Sequence, residues 1–216
     1  MKNIILIGTL AIFLLTSCGN WSEKTNYYTN GNPSSFIQYK NGKLDGESIY
    51  YYENGNIQSK YNYKKGVLDG PSTSWYLTGT IEREETYKNG KLEGEKKEYN
   101  PNGVLAFVQT YHNDTLNGPY KSYHPSGRIK IDGQYANGLF DGKWTYFDQF
   151  GRIVGEGDFQ MGSGSQTAFF SDGKKKQVIH YKNNQKHGRE EFYNADGSLS
   201  KVNIYENGNF IEERPK

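Results

Sequence analysis

The sequence contains one cysteine, six prolines and, beyond its N-terminus, no long apolar run. A single cysteine excludes an intramolecular disulfide framework and a zinc knuckle. The formal net charge is +2, so charge gives no reason to expect nucleic acid or anionic lipid as a partner. No stretch shows the longer apolar period of an amphipathic helix. These absences favour a chain without helices and without a disulfide framework.

Glycine and aromatic residues are what the chain has in abundance. There are 26 glycines and 19 tyrosines, and aromatic residues make up 15% of the chain. Hydrophobic residues reach only 34%, below the roughly 45–50% of ordinary globular domains. Disordered chains are poor in aromatic residues. The composition therefore indicates a turn-rich β protein with tyrosine as its main apolar material.

Residues 1–17 are predicted to be a targeting signal. Lys2 precedes a 12-residue apolar run from Ile4 to Leu15, which is shorter than the roughly 20 residues that span a bilayer. The run ends in Leu15-Thr16-Ser17-Cys18, which resembles the lipobox of bacterial lipoproteins. This resemblance implies cleavage before Cys18 and acylation of that cysteine. The alternative is an ordinary secretory signal with a chance cysteine.

Acylation of Cys18 implies that the protein is located at the cell envelope. Two or three acyl chains anchor a protein stably, at about 0.8 kcal/mol per buried CH₂. Residues 18–26 then form the lipidated cysteine and a tether, and loss of Lys2 lowers the net charge from +2 to +1. Gly19 differs from the aspartate that retains lipoproteins at the inner membrane of well-studied Gram-negative bacteria. The resemblance therefore implies the outer membrane, if the cell has one.

One unit recurs eight times across residues 27–211. Each copy contains a reference glycine, and these recur every 24 residues with one interval of 22: Gly31, Gly55, Gly79, Gly103, Gly127, Gly151, Gly173 and Gly197. An aromatic residue stands four positions before every reference glycine. Another stands eight positions after it: Tyr39, Tyr63, Tyr87, Tyr111, Tyr135, Phe159, Tyr181 and Tyr205. We number the repeats one to eight by these glycines, and the regularity predicts one structural unit built eight times.

Each unit is predicted to form a β-hairpin. Asn-Gly or Asp-Gly dipeptides, such as Asn41-Gly42 and Asn54-Gly55, separate runs in which apolar and polar residues alternate. Such turns between alternating runs are the strongest short-range hairpin signal. We therefore predict an all-β fold: a single-layer antiparallel meander of eight hairpin repeats of about 24 residues, or about 16 strands. Residues 212–216 form a polar C-terminal end that discourages edge pairing.

The repeat is similar to the MORN repeat, and most similar to its bacterial variant. The resemblance rests on an aromatic residue, a glycine three positions later and a second glycine four positions after that. The predicted structural residues of the repeat are Tyr39, Gly42, Gly46, Tyr63, Gly66, Gly70, Tyr87, Gly90, Gly94, Tyr111, Gly118, Tyr135, Gly138 and Gly142. The resemblance implies an elongated, twisted sheet that serves as a scaffold for proteins or membranes. Bacterial members are often labelled antitoxins.

Four positions depart from this pattern. Asp114 and Asn184 occupy the first glycine position, and Glu212 occupies the last. Repeat six reads Gly162-Ser163-Gly164, which we interpret as a loss of two residues inside the turn.

No catalytic constellation stands out, so we expect no enzyme, cofactor or metal site. The four histidines fall in different repeat positions and match no paired ligand motif. Acidic residues recur only near turns, at Asp45, Asp69, Glu93 and Asp141. Carboxylates beside glycine at such places are typical of turn chemistry.

Aromatic residues outside the two regular positions are the candidates for binding a partner. They fall three, five or seven positions before a reference glycine: Tyr50, Tyr52, Tyr76, Tyr120, Trp144, Tyr146, Phe170 and Phe192. Strand alternation places them on the face opposite the aromatic residue that stands four positions before that glycine. An exposed aromatic row there would suit a protein or sugar partner. The alternative is that they cover a one-layer sheet that needs apolar residues on both faces.

The sequence thus favours a non-enzymatic, lipid-anchored scaffold that binds another protein at the cell envelope. Two alternatives remain open: an antitoxin or immunity-type inhibitor of a toxin, which rests on the MORN resemblance, and a glycan-binding surface protein, which rests on the aromatic residues.

Overall fold

The computed structural model describes residues 19–215. The predicted signal peptide and Cys18 lie outside this part of the chain. The strands are β1 (Trp21–Tyr27), β2 (Pro33–Lys40), β3 (Lys43–Tyr51), β4 (Ile57–Lys64), β5 (Val67–Leu68), β6 (Gly70–Trp75), β7 (Ile81–Lys88), β8 (Lys91–Leu92), β9 (Gly94–Tyr99), β10 (Leu105–His112), β11 (Thr115–Tyr123), β12 (Ile129–Ala136), β13 (Leu139–Phe147), β14 (Ile153–Gln160), β15 (Ser163–Phe169), β16 (Lys175–Lys182), β17 (Gln185–Tyr193), β18 (Leu199–Glu206) and β19 (Asn209–Pro215).

The predicted all-β meander is confirmed. All 19 strands belong to one open antiparallel sheet in a single layer. The chain divides into two compact units: residues up to Ile81 with Tyr87–Lys91, and Glu82–Thr86 with Leu92 onward. The structure has three strands more than the predicted 16. Residues assigned to the tether form β1, which pairs with β2, and two hairpin arms are split into β5 with β6 and β8 with β9.

Two kinds of turn alternate along the chain. The tight turns hold two residues with positive φ, such as Asn41 at 51° and Gly42 at 75°, as hairpins with a right-handed twist require. Asp114 and Asn184 also have positive φ, 66° and 63°, because Asn and Asp tolerate this region better than other side chains. The wide turns end at the reference glycines, as when the Gly55 amide donates to the Tyr52 carbonyl.

A bulge follows the tight turn in the regular repeats. In repeat one, Tyr39 pairs with Leu44 and Ile37 pairs with Ser48, so β2 advances two residues while β3 advances four. The second glycine of the repeat, here Gly46 with a φ of 92°, lies in this bulge. Its conformation suits glycine because no Cβ is present.

Repeat six has no bulge. Strands β14 and β15 pair without a register shift, and Phe159 faces Gly164 where Tyr39 faces Leu44 in repeat one. The tight turn at Met161-Gly162 is intact, with φ values of 47° and 77°. The interpretation that two residues are lost inside the turn is therefore wrong. The missing pair is the bulge, and Gly164 takes the place of the leucine.

Strand β14 shows most clearly how the sheet separates its two faces. Its residues alternate without exception between buried and exposed from Val154 to Gln160. Gly155, Gly157 and Phe159 are buried, whereas Val154, Glu156 and Asp158 are exposed. Within the second unit we call the face that carries Phe159 the inner face, and the opposite face the outer face.

Candidate functional site

Two of the aromatic residues predicted to form an exposed row, Trp144 and Tyr120, are instead packed on the inner face. Trp144 is only 3% exposed. Its ring stacks on Tyr120 with centroids 5.5 Å apart, and meets Tyr135 edge-on at 5.1 Å and Phe140 at 4.9 Å. Phe140 also packs against Phe159 at 5.3 Å. The prediction of an exposed row is therefore wrong for Trp144 and Tyr120.

The reason lies in the strand register. A register shift at the end of each hairpin arm, such as that between Tyr146 and Phe147, changes the phase of the alternation. The aromatic residue eight positions after a reference glycine, such as Tyr135, then shares a face with Tyr120 and Trp144. Edge-to-face and stacked pairs of this kind add about 0.5–1.5 kcal/mol each beyond their burial. These residues form a core.

Two glycines make room for this aromatic core. Gly133 lies opposite Tyr120, and Gly157 lies opposite Trp144. A Cβ atom on Gly133 would come within 2.3 Å of the Trp144 indole. A Cβ atom on Gly157 would come within 2.4 Å of the Phe159 ring. The Trp144 and Phe159 rings therefore occupy the space that a side chain at Gly133 or Gly157 would fill.

The other candidates also make contacts within the sheet. The Tyr52 hydroxyl donates to the Trp75 carbonyl at 2.8 Å, which joins consecutive repeats. Tyr50 packs edge-on against Tyr61 with centroids 6.0 Å apart. The ring of Phe170 lies 6.0 Å from the Lys176 ammonium. Tyr76 is half-buried, as these three aromatic residues are.

Tyr146 belongs to the same inner face and is held neutral there. Burial, followed by the neighbouring hydroxyls of Tyr181, Tyr135 and Tyr120, raises its pKa to about 12. Burial disfavours the charged phenolate, and nearby phenols oppose a second negative charge.

The recurring acidic residues perform the turn chemistry predicted for them. Each carboxylate accepts a hydrogen bond from the first amide of the next tight turn. The pairs are Asp45 with Lys65 at 3.0 Å, Asp69 with Asn89 at 3.1 Å, Glu93 with Asn113 at 3.1 Å and Asp141 with Met161 at 3.1 Å. These bonds join each repeat to the following one.

Residues of repeat five contact residues of repeat seven directly, although repeat six lies between them in the sequence. The Asn184 side chain accepts a hydrogen bond from the Phe140 amide at 2.8 Å and donates to the Gly138 carbonyl at 2.9 Å. The Phe140 ring also lies 6.3 Å from Tyr181. Without the bulge and leucine of repeat six, these groups can approach each other. Asn184 thus replaces contacts that the shortened repeat cannot make.

The outer face of repeats five to seven carries an open depression of about 310 Å³. We call it the polar depression, and its side chains belong to Lys143, Thr145, Glu156, Asp158, Ser165, Thr167, Phe169 and Lys175. Two cross-strand rows cross it. One row runs from Lys143 through Asp158 to Ser165, and the other runs from Thr145 through Glu156 to Thr167.

The missing bulge removes one backbone partner from the reach of the Asp158 carboxylate. In repeats one, two and four the equivalent side chain binds the bulge backbone. Gln38 accepts from the Glu47 amide at 2.8 Å, Asn62 donates to the Pro71 carbonyl at 2.8 Å, and Thr110 donates to the Pro119 carbonyl at 3.1 Å. Repeat six offers no such backbone. Among residues 19–215, Asp158 has no hydrogen-bond or ion-pair partner.

The wide turn of repeat six carries an exposed apolar cluster that the sequence analysis missed. We call it the apolar turn: Phe150 is 64% exposed, Ile153 50% and Val154 38%. A signal was available, because the position before the reference glycine is polar in the other seven repeats: Asn30, Asn54, Thr78, Asn102, Ser126, Asp172 and Asp196. The aromatic residue at this place is therefore a specific departure.

No group of three or more metal-ligating side chains occurs within the described range 19–215. The same range contains no helix that could cross a membrane.

The fold and its repeated bonds define an antiparallel β-hairpin repeat protein. The family model described as the MORN repeat variant matches residues 44–65, 68–89, 92–113, 116–137 and 163–183. These segments cover half of the chain, and the protein belongs to the MORN repeat variant family. No curated protein matches it. The unmatched interval between residues 137 and 163 includes β14 and the wide turn of repeat six.

Proposed function

We propose that this chain is a non-enzymatic repeat scaffold that binds another protein at the bacterial cell envelope, anchored there by acylation of Cys18. MORN repeats commonly mediate protein or membrane interactions. The observation that carries the proposal is the exposure of Phe150 at a position where every other repeat has a small polar residue. Aromatic residues, phenylalanine among them, are enriched at protein–protein interfaces relative to the rest of the surface.

Hydrogen bonds within the apolar turn join its backbone to the Asp148 side chain. The Asp148 carboxylate accepts from the Phe150 amide at 2.8 Å and from the Arg152 amide at 3.0 Å. The Arg152 guanidinium pairs with the same carboxylate at 2.7 Å and lies 5.3 Å from the Phe150 ring. A turn whose backbone is ordered before binding loses little backbone entropy when a partner covers it. Phe150 is therefore suited to anchor a protein contact.

Site-specific crosslinking in cells tests the protein contact. A photoreactive phenylalanine at position 150 is compared with the same residue at Tyr27, which is 66% exposed. We expect one discrete protein adduct from position 150 and none of that size from position 27. Phe150→Ser should also abolish recovery of that protein with the scaffold. Equal adducts from both positions, or none from position 150, would contradict the proposal.

The anchor is tested separately. Cys18→Ser should abolish incorporation of labelled palmitate and release the chain from the membrane fraction, because the acyl chains supply the attachment. Retention of the variant in the membrane fraction would contradict acylation of Cys18 as the anchor.

A further inference from the structure

We infer that the polar depression of repeat six binds a neutral saccharide, in addition to the protein contact proposed at the apolar turn. The inference rests on how the depression is built, on the balance of its hydrogen-bonding groups and on its size. It does not depend on the lipid anchor or on Phe150.

The depression exists because repeat six lacks the bulge. In repeats one, two, four and five the bulge glycine lies against a side chain of the neighbouring strand, as Gly142 lies against Gln134. Strands β14 and β15 pair continuously instead, so both rows cross them without interruption. Gly164 permits this pairing, since a Cβ atom there would lie 2.1 Å from the Asp158 carbonyl oxygen. The site is thus a built feature of the shortened repeat.

The polar groups of the depression are available to a ligand. Within residues 19–215 none of Lys143, Glu156, Asp158 and Lys175 makes a hydrogen bond or ion pair. By contrast, two charges on the same face of the neighbouring strands, Lys121 and Asp132, are paired at 2.8 Å. A ligand that bonds to free charged groups gains charge-assisted hydrogen bonds, which are about twice as strong as neutral ones.

The arrangement of charge favours a neutral ligand. Glu156 and Asp158 lie on β14, whereas Lys143 lies on the adjacent strand β13 and Lys175 lies on β16, beyond β15. An anion would meet the two carboxylates, and a cation would meet the flanking ammonium groups. A saccharide hydroxyl both donates and accepts, so it can donate to a carboxylate while it accepts from a lysine. The hydroxyls of Ser165 and Thr167 add groups of both kinds.

The size and the wall of the depression also fit a sugar. Three strands span roughly 10 Å, and residues two apart on a strand are about 7 Å apart, so the two rows cover an area comparable with one or two sugar rings. The volume of about 310 Å³ lies at the lower end of ligand sites, which hold about 300–1,000 Å³. Phe169 supplies an apolar wall at one end.

Saccharide titration of the full chain tests the inference, in a detergent without a sugar headgroup. The probes are cellobiose, maltose and N,N′-diacetylchitobiose, with glucosamine, glucuronate and triglycine as charged comparisons. We expect at least one neutral disaccharide to bind saturably and to shift the amide resonances of Gly157 and Asp158. Asp158→Asn should weaken this binding about fivefold or more, since a charged acceptor is lost.

Glu47→Gln is the matched control, because Glu47 is also a strand carboxylate but lies outside the depression and is paired with Lys60 at 2.6 Å. It should leave the affinity unchanged. Insertion of Asp-Gly after Gly164 restores the bulge and should abolish binding. If that variant does not fold, the affinity of Asp158→Asn tests the inference by itself. The inference is overturned if no neutral probe binds, if only charged probes or the peptide bind, or if Asp158→Asn binds as tightly as the native chain.

Discussion

Repeat one in the first unit and repeat five in the second fill the same register position in opposite ways. Seven residues before the next reference glycine, repeat one has the fully buried Ser48 and repeat five has Trp144. Opposite them on the next strand stand Tyr61 and Gly157, respectively. A small residue therefore faces a large one in both repeats, but on exchanged strands. The hairpin requires a filled volume at this position rather than a particular residue.

Repeats one and six differ at the bulge. Repeat one has it, and its Gln38 side chain is bound to the bulge backbone. Repeat six, which follows Trp144, has none, and its Asp158 is free. The exposed Phe150 lies in the same repeat. Departures from the repeat are thus concentrated where the sheet presents unpaired charge and apolar surface.

The largest difference between the two regions should appear when each buried residue is truncated. Trp144→Ala should lower the free energy of unfolding by about 3–5 kcal/mol, because it removes a buried ring and leaves a cavity. Ser48→Ala should change it by less than about 1 kcal/mol, since the Ser48 hydroxyl has no hydrogen-bond partner within residues 19–215 and its removal relieves an unmet polar group. Chemical denaturation measures both values. Equal losses would refute the contrast.

A methyl group at Gly133 should cost about 1–3 kcal/mol by overpacking, because its Cβ would meet the Trp144 indole at 2.3 Å. The cost should fall sharply when Trp144 is replaced by leucine, which a double-mutant cycle measures. An unchanged cost in the Trp144→Leu background would show that the indole is not the obstacle.

Asn184→Gly should destabilise the second unit by about 1–2 kcal/mol, because two hydrogen bonds to repeat five are lost. Glycine keeps the positive φ, so the measurement isolates the side chain. Asn183→Gly is the control: its φ of 52° is also positive, and its side chain has no partner in the described chain. Urea unfolding measures the free energy of unfolding of both variants, and only Asn184→Gly should lower it. Equal decreases in the two variants would show that the Asn184 hydrogen bonds do not stabilise the second unit.

Alkaline pH should weaken the aromatic core selectively. The pKa of Tyr146 is raised from 10.0 to about 12 in the folded chain, so between these values the unfolded tyrosine has lost its proton while the folded one retains it. Stability is therefore fully present below about pH 10 and falls as pH rises towards 12. Tyr146→Phe should reduce this fall, as followed by thermal unfolding at each pH. The same pH dependence in the variant would contradict the assignment.

The smallest effect on stability is expected at Phe150. Phe150→Ser should change the free energy of unfolding by no more than about 0.5 kcal/mol, because an exposed turn residue contributes little to the fold. Thermal unfolding checks this, and a larger loss would mean that the ring is structural.

Much of the fold was predictable from the sequence, because glycine and aromatic residues recur at fixed spacing. The side of the sheet on which Trp144 lies was not predictable. Each register shift at a wide turn changes which residues of a strand share a face, and no residue type in the sequence marks the shift. The bulge was also missed, since Gly162-Ser163-Gly164 looks like a shortened turn until the pairing of Phe159 with Gly164 is known. The exposure of Phe150 could have been found by comparing equivalent turn positions.

The central claim is that repeat six, where the pattern breaks, carries the functional surface, and the repeats themselves provide the internal control. A photoreactive residue can be placed in turn at the position before each reference glycine: Asn30, Asn54, Thr78, Asn102, Ser126, Phe150, Asp172 and Asp196. Crosslinking in cells should give the strongest protein adduct at position 150, with yields that fall in repeats further away. Uniform yields across the eight positions, or a maximum in a regular repeat of the first unit, would contradict the account.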